Sequence, residues 1–402
     1  MSKYIHFCHT CPVQIWGMTS QQRIERILGE TAQSCTADEL NKLSDSDTVL
    51  ILRGDYLFDD RLIENLAGTP NVLLNLQDRQ PQTAVAAHVP AGLAQQALDL
   101  ITDKTTNDVL PGVEILTPST FPLSFHKKLR KNEPPFVLPI TAERKKDLER
   151  RLFDWSYKGV TDLVTKWAWP CLARHVVGFC VRLHIRPNQV TLAGLVLVII
   201  AGISFATGQY GIGLAAGWLM TFLDTVDGKL ARVTLTSSKF GHYFDHMIDL
   251  VHPPLWYILW AIGLPDAQAD SLGLPLNAFF WVILAGYVGG RLVEGSFQLL
   301  LGRFSIFCWR PFDSYFRLIT ARRNPNLILL TLSYLADRPD IGLVAVTIWT
   351  VASTLILLVR LAAAGYDRAR QGGPLGSWLS EADTPRYYHS RAARIFAGHA
   401  GR

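Results

Sequence analysis

The reading of this chain turns on one decapeptide, "LDTVDGKLAR", Leu223–Arg232. It closes the apolar run "GIGLAAGWLMTFL", residues 211–223, so a segment suited to a bilayer ends by setting Asp224 and Asp227 three residues apart. An ionised carboxylate at membrane depth costs about 3 kcal/mol or more, so such residues are expected to have a task. The chain continues "VTLTSSKFGHYFDHMIDL", residues 233–250, which adds Gly241, Asp245 and Asp249. Neighbours on one helical face lie three or four residues apart. Asp224 therefore pairs with Asp227 and Asp245 with Asp249, and two consecutive antiparallel helices can aim four carboxylates into one cavity.

Outward from that stretch, the 402 residues are 49% hydrophobic and only 18% charged, which excludes a disordered chain and a purely soluble one. The apolarity is uneven. About 150 residues read as ordinary soluble sequence, and long apolar runs dominate from Val190 onward. Candidate spans fall near 190–207, 210–226, 243–263, 276–300, 326–337 and 341–364, the fifth being short. Lys and Arg alternate with them: Arg182, Arg186, Lys229, Arg232, Lys239, Arg303, Arg310, Arg317, Arg322, Arg323, Arg360, Arg368 and Arg370 fall on one side. The other side holds Arg338 alone. By the positive-inside rule this predicts six spans with both termini and the aspartates cytoplasmic. The opening "MSKYIHFCHTCPVQIWGM" has no signal-peptide pattern, in keeping with a cytoplasmic N-terminal part.

The N-terminal region alternates strand-like runs ("KYIHFC", "TVLILRG", "NVLLNL", "TAVAAHV") with helix-like ones ("TSQQRIERILGE", "DRLIENLAG", "AGLAQQALDLI"), the pattern of a small α/β unit. Cys8 and Cys11 have no second pair at zinc-finger spacing and read as thiols of a buried strand. Residues 143–185 are rich in Arg, Lys and Trp at helical spacing and read as an interfacial amphipathic helix. The expected fold class is thus a multi-pass all-α membrane domain of six transmembrane helices preceded by a small α/β cytoplasmic domain. Its parts are the α/β domain at 1–140, a juxtamembrane helical segment at 141–188, the membrane domain at 189–365 and a cytoplasmic tail at 366–402. Net charge is +5 without alternating basic and aromatic residues, so nucleic acid is not an expected partner.

Aspartates converging without a cysteine cluster suit hard cations, Mg²⁺ or Mn²⁺. Gly228 and Gly241 let a ligand approach the backbone, and Arg232 can meet phosphate oxygens. The spacing Asp224, Asp227, Gly228, Ala231, Arg232, then Gly241, Asp245 and Asp249 resembles the signature of the CDP-alcohol phosphotransferase family at all eight positions. The resemblance covers about residues 155–365. It implies six spans, a dimer, and transfer of a substituted phosphate from a CDP-linked donor, with CDP-diacylglycerol the first candidate, to an alcohol, releasing CMP in phospholipid synthesis. It also implies a two-metal site on Asp224, Asp227, Asp245 and Asp249, with Asp249 as general base. Gly228, Ala231 and Gly241 would border the cytidine. Asn188 and Thr191 in "RPNQVT" match a family motif at the first span and imply a part in the nucleotide pocket.

Other residues read less specifically. Arg291, Arg310, Arg317, Arg322 and Arg323 lie on the aspartates' side, and the family's use of phosphorylated acceptors makes Arg291, Arg317, Arg322 and Arg323 candidates for an acceptor phosphate; equally they are positive-inside charges. Arg291 and Glu294 are one turn apart and suited to pairing. His242, His246 and His252 read as walls of the site rather than as catalysts. An intramembrane prenyltransferase with a diphosphate donor and a non-enzymatic membrane scaffold are the competing readings. The stretch "VLILRGDYLFDD", with Asp55 at a strand end, resembles nucleotidyltransferase domains, yet the Gly-x-Gly-x-Arg loop is absent, which predicts a degenerate, non-catalytic relative with a docking or regulatory role.

Overall fold

The computed structural model describes residues 2–44, 46–76, 83–102, 110–121, 125–270 and 273–398, the side chains of 239, 240, 242, 267 and 270 excepted. The chain forms two compact units. The first comprises 1–126, 133–155 and 233–235; the second comprises 127–132, 156–232 and 236–402.

The first unit is the expected α/β domain. In order it contains β1 (Lys3–Cys8), α1 (Ser20–Leu28), β2 (Gln33–Ser34), α2 (Ala37–Leu40), β3 (Thr48–Arg53) and β4 (Tyr56–Phe58). There follow α3 (Asp60–Gly68), β5 (Val72–Leu76), β6 (Thr83–Pro90), α4 (Ala94–Ile101), β7 (Glu114–Leu116) and α5 (Lys145–Trp155). Six strands make one sheet in the order β2-β1-β3-β6-β5-β7, with β6 antiparallel to both neighbours. In β3, Leu50 and Leu52 enter one apolar cluster and Val49 and Ile51 the other, because successive side chains point to opposite faces. A strand covered on both sides reads as a continuous apolar run, which is what "TVLILR" is. Thr19 and Gln22 cap α1 reciprocally, at 3.2 and 3.1 Å.

The expected single juxtamembrane helix breaks into pieces. Its first part is α5, whose Leu148, Leu152, Phe153 and Trp155 are buried in the α/β unit. Trp16 Nε1 donates to the Glu149 carbonyl at 2.8 Å, and Phe136 packs edge-on against Trp155. These apolar positions have a protein core to enter, so Trp155 is not at a headgroup level. The later part, α6 (Pro170–Arg182), keeps the exposed apolar face expected of an interfacial helix, with Leu172 and Phe179 outward.

The second unit continues with α7 (Pro187–Ala206), α8 (Tyr210–Val233), α9 (Lys239–Ile262), α10 (Asp266–Asp270) and α11 (Leu276–Ser296), which runs on as a π-helical turn over Phe297–Gly302. Then come α12 (Pro311–Ile319), α13 (Arg323–Leu335), α14 (Pro339–Gln371) and α15 (Arg391–Phe396). Among the described residues three helices are long and apolar enough to cross a membrane: α7, α11 with its extension, and α14. Helices α8 and α9 occupy the second and third expected stretches but carry the acidic cluster. The 13 residues of α13 are only about 20 Å long at ~1.5 Å per residue. The chain is an integral membrane protein.

The helices share a core of Phe205, Tyr210, Trp256 and Trp260. Its indoles are satisfied internally: Trp256 Nε1 donates to the Val198 carbonyl and Trp260 Nε1 to the Pro339 carbonyl, each at 3.0 Å. The expected tail at 366–402 is folded rather than free. Helix α14 runs through residue 365, and Trp378, Leu379 and Phe396 are buried, with Trp378 Nε1 donating to Ser314 Oγ at 2.9 Å.

Candidate active site

Helices α8 and α9 deliver the carboxylates as the spacing predicts. One oxygen each from Asp224, Asp227 and Asp245 lie within 4.8 Å of one another. The donor set is entirely carboxylate oxygen, which fits a hard divalent cation. Asp227 is buried, and Thr191 Oγ1 on α7 donates to its Oδ2 at 2.6 Å. A ligand carboxylate oriented by an outer hydroxyl is the arrangement by which proteins hold and tune an ion. Thr191→Val is accordingly expected to weaken Mn²⁺ binding about tenfold, read by electron paramagnetic resonance of the purified protein. Unchanged affinity would refute the orienting role.

Asp249 stands beside this cluster. Arg323, the first residue of α13, donates through Nη2 to Asp224 Oδ2 and through Nη1 to Asp249 Oδ1, both at 2.5 Å. Among the candidate acceptor-phosphate residues, Arg323 is therefore committed to the aspartates. Arg322 pairs with Glu294, and Arg291 lies 3.9 Å from the same carboxylate, the one-turn pair expected from the sequence. Arg291 also donates to Tyr287 Oη at 3.1 Å, and that hydroxyl donates to the Asp249 carbonyl at 3.2 Å. Arg317 remains without a carboxylate partner of this kind, and its Nε and Nη1 are buried and unpaired.

The residues expected at the nucleotide also converge. A Cβ on Gly241 would press on Asn188 Oδ1, so the bare backbone of α9 lets the first turn of α7 approach. A Cβ on Gly228 would lie 3.1 Å from Arg232 Nη2. Ala231 is half-buried on the same helix. His246 lines the cavity. His252 donates from Nδ1 to the Ile248 carbonyl at 2.6 Å and packs edge-on against Trp256, as a wall. The side chain of His242 lies outside the described residues. In the α/β unit, Asp55 is engaged by Arg53 at 2.9 and 2.7 Å.

These groups open on a cavity of about 550 Å³ lined by eight Lys and Arg side chains and five carboxylates. Four of its lining residues were not anticipated: Arg130, Lys158, Asp162 and Thr165. They come from a strap, residues 156–168, and from the loop 127–132. Gly159 N donates to the Leu129 carbonyl at 2.8 Å and Val160 N to the Arg130 carbonyl at 3.1 Å, stitching strap to loop. Lys229 Nζ donates to the Ser156 carbonyl at 3.2 Å and sits 3.3 Å from the Tyr157 ring centroid, tying the strap to α8. Asp162 accepts from Asn324 Nδ2 at 2.8 Å and from the Thr165 amide at 3.0 Å. The polar run "SYKGVTD" before an apolar helix was the available signal, but nothing in its spacing shows which cavity it borders.

Gly159 is the tightest point of the strap. A Cβ there would lie 2.6 Å from the Arg130 carbonyl oxygen and 2.7 Å from Lys131 Cβ, and would also collide with the Phe396 carbonyl. Backbone neighbours cannot yield cheaply. Gly159→Ala is expected to destabilise this unit by about 3 kcal/mol, seen as a lower unfolding temperature in detergent; a shift below one degree would refute the packing argument.

Residues 184–294 match the CDP-alcohol phosphatidyltransferase family. The chain is 30% identical over 159 residues to a bifunctional IPC transferase and DIPP synthase of Rubrobacter xylanophilus, covering 40% of this chain and 33% of that protein. It is 43% identical over 70 residues to an archaetidylinositol phosphate synthase of Pyrococcus horikoshii, covering 17% of this chain and 36% of the relative. With cholinephosphotransferase 1 of Gallus gallus it shares 30% identity over 132 residues, 29% of this chain and 37% of the relative. The chain thus spans about a third of the length of these relatives. The matched segment begins at the turn into α7 and ends in α11, so it contains the whole aspartate constellation, and over residues 184–294 this chain is a member of the CDP-alcohol phosphatidyltransferase family of enzymes.

Proposed function

We propose that the protein is a metal-dependent CDP-alcohol phosphotransferase of phospholipid synthesis. It moves a substituted phosphate from a CDP-linked donor, CDP-diacylglycerol first among the candidates, to an alcohol acceptor and releases CMP. The observation that carries this reading is the meeting of Asp224, Asp227 and Asp245 within 4.8 Å at the wall of a large cavity. The six-span arrangement, with both termini and the site on the cytoplasmic side, is supported by the distribution of Lys and Arg and gives soluble CMP a way out. A homodimer is the expected assembly.

In this scheme the three clustered aspartates hold Mg²⁺ or Mn²⁺, as a two-metal site completed at its edge by Asp249. Bound there, the ions would neutralise the diphosphate and stabilise the departing CMP. Asn188, Gly228, Ala231 and Gly241 border the cytidine, and Arg232 meets the donor's phosphates. Arg323 holds Asp249 by Oδ1, so Oδ2 accepts the proton of the acceptor hydroxyl. As that proton leaves, the acceptor oxygen bonds to phosphorus and the phosphorus–oxygen bond to CMP breaks. The α/β unit has no catalytic part in this reaction and serves docking or regulation.

The test is CMP release by the purified protein in lipid with Mg²⁺ or Mn²⁺ and CDP-diacylglycerol across a panel of alcohols, then with CDP-linked head groups and lipid alcohols. Acceptor-dependent CMP supports the proposal. Silence in both arrangements would overturn it in favour of an inert scaffold, and pyrophosphate in place of CMP would favour a prenyltransferase.

A further inference from the structure

The strap and loop that border the cavity lie outside the segment matched by the family, residues 184–294. Their cations have no assigned work. Most of the other charges in the cavity are accounted for: Arg323 by Asp224 and Asp249, Arg322 and Arg291 by Glu294, and Lys229 by the Ser156 carbonyl and the Tyr157 ring. Arg317 is different. Its guanidinium carbon and that of Arg322 lie 5.5 and 5.4 Å from the centroid of the same Phe307 ring, yet Glu294 pairs only with Arg322. Arg317 Nε and Nη1 are buried without a hydrogen-bond partner. A buried guanidinium with unmet donors costs several kcal/mol unless an anion joins it.

Two further cations border the same space. Lys158 follows the Lys229-anchored residues of the strap, and Arg130 is held at φ 50°, a left-handed conformation unusual outside glycine, by the hydrogen bonds that stitch loop to strap. Backbone strain of this kind persists where the surroundings enforce it. Burial, then the neighbouring guanidiniums of Arg130 and Arg232, push the Lys158 ammonium down to about 8. Burial and Arg322 likewise push Arg317 below its ordinary value. Each of these cations suffers from the others, and a dianion among them would relieve all three.

We infer that Arg130, Lys158 and Arg317 form a subsite for a phosphate monoester carried by the acceptor, separate from the diphosphate of the donor. The inference rests on the reaction proposed above, because it assigns the second substrate of that reaction a chemical class: a phosphorylated alcohol rather than a free one. The strap is then a specificity element of the active site, contributed by sequence outside the family segment.

The test uses the full chain in detergent with inorganic phosphate as probe, measured calorimetrically with and without saturating CDP and Mg²⁺. Phosphate is expected to bind the CDP-saturated protein with an affinity within about twofold of that for the CDP-free protein. Arg130→Gln, Lys158→Gln and Arg317→Gln are each expected to weaken phosphate about tenfold while changing CDP affinity less than twofold, and retained CDP binding shows that each variant is folded. Lys158 gives a further signature. Phosphate affinity should fall above about pH 8 as the ammonium deprotonates, and Lys158→Gln should remove that fall. Competition between phosphate and CDP would assign these cations to the donor and overturn the inference, as would no phosphate binding, or equal losses for both ligands in the variants. Phosphate binding as expected, with no CMP from any acceptor or lipid alcohol, would instead leave the anion subsite standing and overturn the reaction.

Discussion

Asp245→Asn is expected to lower acceptor-dependent CMP release by about a thousandfold or more, roughly 4 kcal/mol of lost transition-state stabilisation. The substitution keeps the shape of the side chain but removes one of three oxygens that meet within 4.8 Å. An amide cannot offset the charge of a divalent ion as a carboxylate does, so metal affinity and turnover should fall together. Asp245 is suited to this test because no other side chain depends on its charge in the way Arg323 depends on Asp224 and Asp249. Its removal should therefore leave the helices in place, which an unchanged unfolding temperature would verify. Mn²⁺ binding gives a reading independent of turnover. Activity within tenfold of the wild type would sink both the metal assignment and the proposed reaction.

The aspartate constellation was legible because helical periodicity is local: three- and four-residue spacings put Asp224 with Asp227 and Asp245 with Asp249 whatever surrounds them. The α/β unit was legible for the same reason, with β3 read from a continuous apolar run and α1 from its amphipathic pattern. Contacts across long sequence separations were not. Arg323 lies 99 residues from Asp224 and 74 from Asp249, and no spacing rule links a basic residue after a Pro- and Arg-rich loop to carboxylates on two earlier helices. Positive-inside counting placed Arg323 on the correct side without identifying its partners. The segment "ERRLFDWSYKG" misled for a related reason. Its amphipathic face is real, but periodicity cannot tell a headgroup layer from the protein core into which Leu152 and Trp155 are buried. Nor could composition show that the chain after α14 folds back, since Trp378 and Phe396 are isolated apolar residues in a polar stretch.

Arg323 also separates the sequence expectation from the geometry by experiment. If it binds an acceptor phosphate, Arg323→Gln raises KM for the acceptor and leaves kcat nearly intact, the signature of lost uniform binding. If it orients Asp224 and Asp249, as its two 2.5 Å contacts indicate, kcat falls and KM barely moves. The second outcome is expected, with a loss in kcat of about a hundredfold, or about 2.7 kcal/mol. Arg323→Lys should recover little. A lysine ammonium is a single point of charge and cannot span two carboxylates as the planar fork of arginine does. Arg317→Gln, under the same assay, should show the reverse split, a higher acceptor KM with kcat largely preserved, because Arg317 has donors left over for a substrate while Arg323 has spent its own on the catalytic carboxylates.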